Sequence, residues 1–260
     1  MGEAVSIAIE TSCRAGGVAL GVGDELVEAV AFEAHGRHAA QLLCRLDDLL
    51  AARGLKPTNV DEVYVSAGPG SFTGIRVGVT AARTLAQAVS GVRCVGVPTA
   101  RAVAENLRGR AWERLAVVFD AKNENVCVQE FARRDGLPEP DGPPRVAPEQ
   151  EFLATVRRPV LLTGEGLGYH DLAGEGVELA EPDVRLPTAE GVWRVGRRLA
   201  AAGEFTGYHR LLPIYTRRPE AVRLWEKRGE KRGSGTVLAP EGANSHLKCN
   251  VDGKRKDIAG

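Results

Sequence analysis

The amino-acid sequence predicts an α/β protein of two mixed lobes, because one order of elements occurs twice: three strands, then helix, strand and helix. Composition agrees. With 260 residues, 43% hydrophobic and 26% charged, the chain can bury a core as one large or two small domains without metal or disulfide staples. The helical segments are also amphipathic, as helices covering a sheet must be. Together these observations imply lobes at residues 1–109 and 110–228 with a cleft between them, then a tail at 229–260.

In the first lobe, Val5–Glu10 (VSIAIE) and Val18–Val22 read as strands, and Gly23-Asp24 turns into a third, Glu25–Glu33. From His38 to Arg53, Leu42, Leu43, Leu46, Leu49 and Leu50 fall within roughly 120° of arc, which makes a one-sided helix. Strands at Val63–Ala67 and Cys94–Val97 alternate with helices at Ile75–Ser90 and Thr99–Leu107. In the second lobe, strands at Leu115–Asp120 and Val126–Phe131 flank a turn at Lys122–Asn125. A helix at Glu149–Val156, a strand at Val160–Thr163 and a helix at Ala189–Ala202 follow. Between them, Pro138, Pro140, Pro143, Pro144 and Pro148 make Leu137–Pro148 a loop with room for a short edge strand. The tail holds no aromatic residue and six Lys and Arg against four Asp and Glu, so it is expected to stay disordered.

Charge and cysteine content exclude further classes. The formal net charge is zero, which argues against a protein that grips nucleic acid by itself, since that affinity comes mainly from Lys and Arg at phosphates. No window approaches the ~18 apolar residues of a membrane span, and the opening MGEAVSIAIETS lacks a signal peptide's basic start and long apolar run. A cytoplasmic protein is expected. Cys13, Cys44, Cys94, Cys127 and Cys249 are scattered without a CxxC pair, as reduced cytosolic thiols would be.

One segment stands out as a carrier of chemistry, Gly68-Pro69-Gly70-Ser71-Phe72-Thr73-Gly74-Ile75-Arg76, between a strand and a helix. It has no Walker A lysine after Gly74, and Pro69 stands where a nucleophile elbow needs glycine. Gly164-Glu165-Gly166-Leu167-Gly168 is followed by Tyr169 where a dinucleotide fingerprint needs its last glycine. Two readings of the first glycine segment stay open: an anion site at a helix N-terminus, or a tight strand-to-helix connection. Candidate nucleotide-binding residues are accordingly Glu10, Thr11, Gly68, Gly70, Ser71, Thr73, Gly74 and Asp120. Glu10 and Asp120 end the first strands of the two lobes, where a carboxylate can serve magnesium and general-base chemistry or simply cap its strand.

The string Ala67 to Gly78 (AGPGSFTGIRVG) resembles the signature of the TsaB family, also called YeaZ. The opening Ile7-Ala8-Ile9-Glu10-Thr11-Ser12 with Val18-Ala19-Leu20 is similar to that family's first hairpin. Phe119-Asp120-Ala121-Lys122, Pro213-Ile214-Tyr215-Thr216-Arg217 and Pro219-Glu220-Ala221 resemble its later landmarks. The resemblance spans about residues 4–228 and implies an actin-like (ASKHA) fold. It also implies a non-catalytic dimerisation subunit for N6-threonylcarbamoyladenosine formation at position 37 of tRNAs reading codons that begin with A. The implied partners are a TsaD-type catalytic subunit and a TsaE-type ATPase, with a homodimer when free and tRNA met only through the complex. No tightly bound cofactor is implied, and ATP or ADP is an expected ligand of the complex.

The alternative is an active actin-like transferase, ATPase or kinase, with an older glycoprotease label ranking last. Catalytic relatives carry a His-His-Met-Glu-Gly-His segment that puts two metal-binding histidines four apart on a helix. Here the stretch is Pro98-Thr99-Ala100-Arg101-Ala102-Val103, with Thr99 and Val103 at the ligand places, so no metal is expected. His35 and His38 read as surface or helix-start residues. Glu10-Thr11-Ser12-Cys13 departs from the Asp usual in TsaB-like sequences and is closer to the opening of the catalytic relatives.

The helix Ile75–Ser90 has an apolar arc of roughly 200°, wider than one sheet requires. Leu85 and Val89 are expected to face the core, while flanks of small residues either pack inside the chain or meet a partner. The TsaB resemblance, which implies a pairing surface on this helix and the helix His38–Arg53, makes Leu42, Leu46, Val77, Ala81, Ala82, Ala86 and Ala88 the candidate interface, in the manner of an intermolecular helix bundle.

Overall fold

A computed structural model describes residues 3–33, 38–216 and 225. Contacts divide the chain into a compact unit, Met1–Arg217, and a second unit, Arg218–Gly260, of which Trp225 alone is described, as an exposed helical residue. The expected tail, 229–260, and His35 lie outside the described residues.

The first sheet contains β1 (Val5–Glu10), β2 (Ala15–Val22), β3 (Glu25–Glu33), β4 (Glu62–Gly68) and β5 (Arg93–Pro98), in the order β3-β2-β1-β4-β5. The second contains β6 (Leu115–Lys122), β7 (Asn125–Arg134), β8 (Leu137–Pro140), β9 (Arg145–Pro148), β10 (Val160–Thr163) and β11 (Val177–Leu179), with β9 also on β7 and the others in the equivalent order β8-β7-β6-β10-β11. Directions match as well as order. Leaving β9 aside, in each sheet the first three strands are antiparallel neighbours, and the first strand pairs in parallel with the fourth, and the fourth with the fifth. The repeat anticipated from element order is therefore a repeat of topology.

Each sheet is covered on both faces. Ile7, Ile9, Val18 and Leu20 face α1 (His38–Ala51) and α2 (Phe72–Ala88), where Leu42, Leu46, Leu49, Leu50, Ile75, Val79, Ala82 and Ala86 complete a core. The alternate residues Ala8 and Ala19, with Tyr64, Val95 and Val97, face α5 (Ala189–Ala201) through Val192, Trp193, Val195 and Leu199. This is the two-residue period of a strand buried on both sides. Trp193 Nε1 donates to Ser6 Oγ at 2.9 Å, so its one polar atom is satisfied in that core. In the second sheet, α3 (Thr99–Glu105) covers Leu115, Val117 and Phe119, while α4 (Glu149–Thr155) covers Ala116, Val118, Val126 and Val128 through Phe152.

Several boundaries differ from expectation. The Leu137–Pro148 stretch forms two short strands, β8 and β9 (Arg145–Pro148), both on β7. Pro143 and Pro144 lie between them, so one edge is built from two pieces that prolines can flank. Helix α2 starts at Phe72 rather than Ile75, because Ser71 caps it and accepts from Gly74 N at 3.3 Å. Strand β11 is too short for periodicity to reveal. Helix α5, although it belongs to the 110–228 stretch, packs on the first sheet, and Arg198 holds the buried Glu105 of α3 with two hydrogen bonds, at 3.1 and 2.6 Å. Thr188 caps α5, accepting from Gly191 N at 3.0 Å. Thr188→Ala is expected to cost about 1 kcal/mol, read as a lower urea midpoint with an unchanged slope.

Candidate functional site

The glycine segment leads from β4 into α2, and its glycines are accounted for by what lies against them. Gly70 has φ +152°, and a Cβ there would sit 2.4 Å from the Ser12 carbonyl oxygen. A Cβ on Gly74 would come within 1.9 Å of the Thr11 carbonyl oxygen. Ser71 N donates to Ser12 O at 2.6 Å, Thr11 Oγ1 donates to Gly74 O at 2.8 Å, and Ile214 N donates to Ala67 O at 2.6 Å. The segment thus presses the first turn of α2 onto the end of β1 and the strap at 211–215. These contacts are those of a tight strand-to-helix connection.

The candidate nucleotide-binding residues separate into two groups. Glu10, Thr11, Gly68 and Gly74 are buried, Gly70 is half-buried, and Ser71 and Thr73 are exposed, with Ser71 engaged as the cap of α2. Asp120 lies on the second sheet among its own partners. Its Oδ1 accepts from Lys122 N at 2.7 Å and faces His170 Nε2 at 3.3 Å, and its Oδ2 pairs with Lys122 Nζ. Burial works against its ionisation, but the Lys122 hydrogen bonds outweigh it and hold the carboxyl below its ordinary range. His170 Nδ1 also meets Glu149 Oε2 at 2.6 Å. Burial and then the Asp120 charge push Glu165 up, while burial followed by the Glu10 charge does the same to the Cys13 thiol. The carboxyls Glu10, Asp120, Glu149 and Glu165 thus gather near the ends of β1 and β6, with Lys122 beside Asp120.

At the positions where catalytic relatives place metal ligands, Thr99 and Val103 are fully buried, and Thr99 Oγ1 accepts from Gly68 N at 3.1 Å. Thr99 thereby fastens α3 to the end of β4. Among the described residues, no group of His, Cys, Asp and Glu is arranged to hold a metal ion.

The open feature of this lobe is an apolar groove of about 640 Å³ between α1 and α2. Leu43, Phe72, Val77, Ala81, Leu85 and Ala88 line it, with Thr73, Arg76, Thr80 and Thr84 among them. Leu43 is 62% exposed and Phe72 42%. Phe72 stacks on the exposed Tyr215 with ring centroids 4.9 Å apart, and Arg76 lies over the Phe72 ring at 5.1 Å. Exposed Ile214 and Leu212 continue the apolar surface along the strap. Such a concentration of large apolar side chains marks a surface built to be covered.

The expected interface residues divide here. Leu42, Leu46, Ala82 and Ala86 are buried in the core beneath the helices, so the expectation that they face a partner is corrected; Leu42 only closes the groove floor. Val77, Ala81 and Ala88 lie on the open flank. Leu85, expected inside, packs on the core with one side and lines the groove with the other. Sequence reasoning overlooked Leu43, Phe72 and Tyr215. The Ser71 cap signal could have placed Phe72 on the helix, but nothing local foretells its stacking on Tyr215.

Comparison with known proteins adds the family. A model of the family "TsaD: tRNA N6-adenosine threonylcarbamoyltransferase" matches residues 30–139, less than half of the chain. The Haemophilus influenzae tRNA threonylcarbamoyladenosine biosynthesis protein TsaB is 39% identical over 202 residues, covering 77% of this chain and 75% of that protein. The chain belongs to the TsaB family. Its Bacillus subtilis TsaB relative is 28% identical over 228 residues, 84% of this chain and 96% of that protein. The structure of YeaZ from Pseudomonas aeruginosa superposes with a TM-score of 0.71 at 26% identity, over 82% of this chain and 99% of that one. The TsaB-family fold is actin-like, and the two sheets of equal strand order are its two halves.

Proposed function

We propose that this chain is a non-catalytic scaffold subunit in the formation of N6-threonylcarbamoyladenosine at position 37 of tRNAs reading codons that begin with A. It acts by holding a TsaD-type catalytic subunit against the α1–α2 groove, with a TsaE-type ATPase joining the assembly. The observation that carries this reading is the groove itself, apolar, open and rimmed by Leu43, Phe72 and Tyr215. The threonylcarbamoyltransferase model that matches residues 30–139 spans both helices, which supports a partner with an equivalent helix pair and a bundle of four helices. The same face serves a second copy when the chain is free. Transfer RNA and ATP or ADP then belong to the assembled complex in the cytoplasm, and no described helix is long and apolar enough to cross a membrane.

An active transferase is the second reading, favoured by that same family match. Against it stand the buried Thr99 and Val103 at the ligand positions. Reconstitution decides between them. With tRNA and substrates, modified adenosine should form only when this chain and its host's catalytic subunit are both present and co-elute. Product from this chain alone would establish the transferase instead.

A further inference from the structure

Charge is distributed unevenly along the α1–α2 groove. Among its described lining residues Arg76 is the one charged side chain, and no Asp or Glu stands with it. Arg76 is exposed and makes no ion pair with any described residue. Its place is set by α2, because a spacing of four puts it one turn from Phe72, over whose ring its guanidinium lies at 5.1 Å. Exposed Thr73, Thr80 and Thr84 continue the same row at spacings of three and four, so a polar stripe runs beside the apolar flank of Val77, Ala81 and Leu85. The acids of α1, Asp47 and Asp48, are exposed but lie outside the lining, and Asp48 pairs with Arg45 at 3.7 Å.

Whatever covers this groove must meet that charge. A surface that reaches from Phe72 to Val77 and Thr80 passes over Arg76, so the guanidinium loses its water together with the apolar residues on either side of it. An arginine buried without a counter-ion is costly, whereas a carboxylate answers its planar fork with two parallel hydrogen bonds. The Phe72 ring holds the guanidinium in place before binding, which reduces the ordering that such a pair requires. We infer that the partner of this groove presents an Asp or Glu carboxylate to Arg76 from a face that is otherwise apolar, and that this pair makes a TsaD-type subunit a better occupant than a second copy of the chain. A second copy brings the same lining, which has no carboxylate to offer. A nucleic acid is the poorer match, since phosphates have nothing to bury against Leu43, Val77 and Leu85. The inference rests on the scaffold reading above and adds the charge that its partner must carry.

Arg76→Met keeps an apolar stem at this position and removes the charge. In titration calorimetry against the TsaD-type subunit of the same host, affinity should fall roughly 30-fold in Arg76→Met and at least ~100-fold in Arg76→Glu. Arg76→Lys should also lose roughly tenfold, because an ammonium is a point charge that cannot fork. Circular dichroism checks that each variant is folded, as expected of substitutions at an exposed helix position. Among Asp and Glu substitutions to Lys along the partner's contacting helices, one should restore binding to Arg76→Glu and so identify the carboxylate; no rescue by any of them refutes the pair. An Arg76→Met chain that binds as tightly as the parent, while Ala81→Glu binds weakly, overturns this inference and leaves the scaffold reading standing. Unchanged affinity in both variants overturns the two together. Self-association, followed by sedimentation, should be no weaker in Arg76→Met than in the parent. A loss there as large as the loss against the catalytic subunit would mean that a second copy reaches Arg76 with an acid such as Asp47, and would refute the preference between partners.

Discussion

Under the proposed scaffold function, Ala81→Glu is expected to leave a folded protein that binds a TsaD-type catalytic subunit at least ~100-fold more weakly, a loss of about 3 kcal/mol. Ala81 lies on the groove flank of α2, partly exposed, so a glutamate is harmless in the free chain, where its charge stays in water. In a helix bundle the same carboxylate meets apolar side chains and loses its hydration without gaining a cation. The flank was undetermined from periodicity, since Ala81 and Ala86 lie on opposite sides of one wide apolar arc. Burial of Ala86 in the core selects Ala81 as the informative position and makes Ala86→Glu a folding defect. Titration calorimetry against the catalytic subunit measures the effect, with circular dichroism showing that the variant is folded. Unchanged affinity would move the scaffold surface away from α1 and α2.

Gly74→Ala tests the seat of the same helix and should lower stability by about 3 kcal/mol. The new methyl would stand 1.9 Å from the carbonyl oxygen of Thr11, and that atom belongs to backbone, which cannot turn aside as a side chain can. Thr11 is buried and also bonded to Gly74 O, so relief requires moving α2 off the end of β1. Gly109→Ala is the matched control, because a Cβ there meets nothing within 4 Å, and its midpoint should move by no more than ~0.5 kcal/mol equivalent. A Gly74→Ala protein as stable as the parent would show that the glycine segment is not a packing device.

The fold class was legible because it rests on local patterns. Alternation in Val5–Glu10, the one-sided leucines of α1 and the repeated order of elements are set by which side of a strand or helix must avoid water, and the strand order of both sheets agrees with them. The family was legible because the AGPGSFTGIRVG string is long and specific, and the relatives bear it out. Periodicity also detected that α2 has more apolar surface than one sheet can cover. What it could not supply was the account of each residue's surroundings. Two residues equally apolar and equally placed on a helix, such as Ala81 and Ala86, differ only in what the rest of the chain brings against them. The reason Gly70 and Gly74 must be glycine is likewise held by the Ser12 and Thr11 carbonyls, about sixty residues earlier. The sequence alone determined two halves of equal element order, their longer strands and helices, and their family. Tertiary packing alone decided that α5 crosses to the first sheet, that Glu10 is buried at the end of β1, and that Leu43, Phe72 and Tyr215 converge on one open groove. Such outcomes depend on contacts between distant segments, and a contact between distant segments leaves no mark on the local pattern of either one.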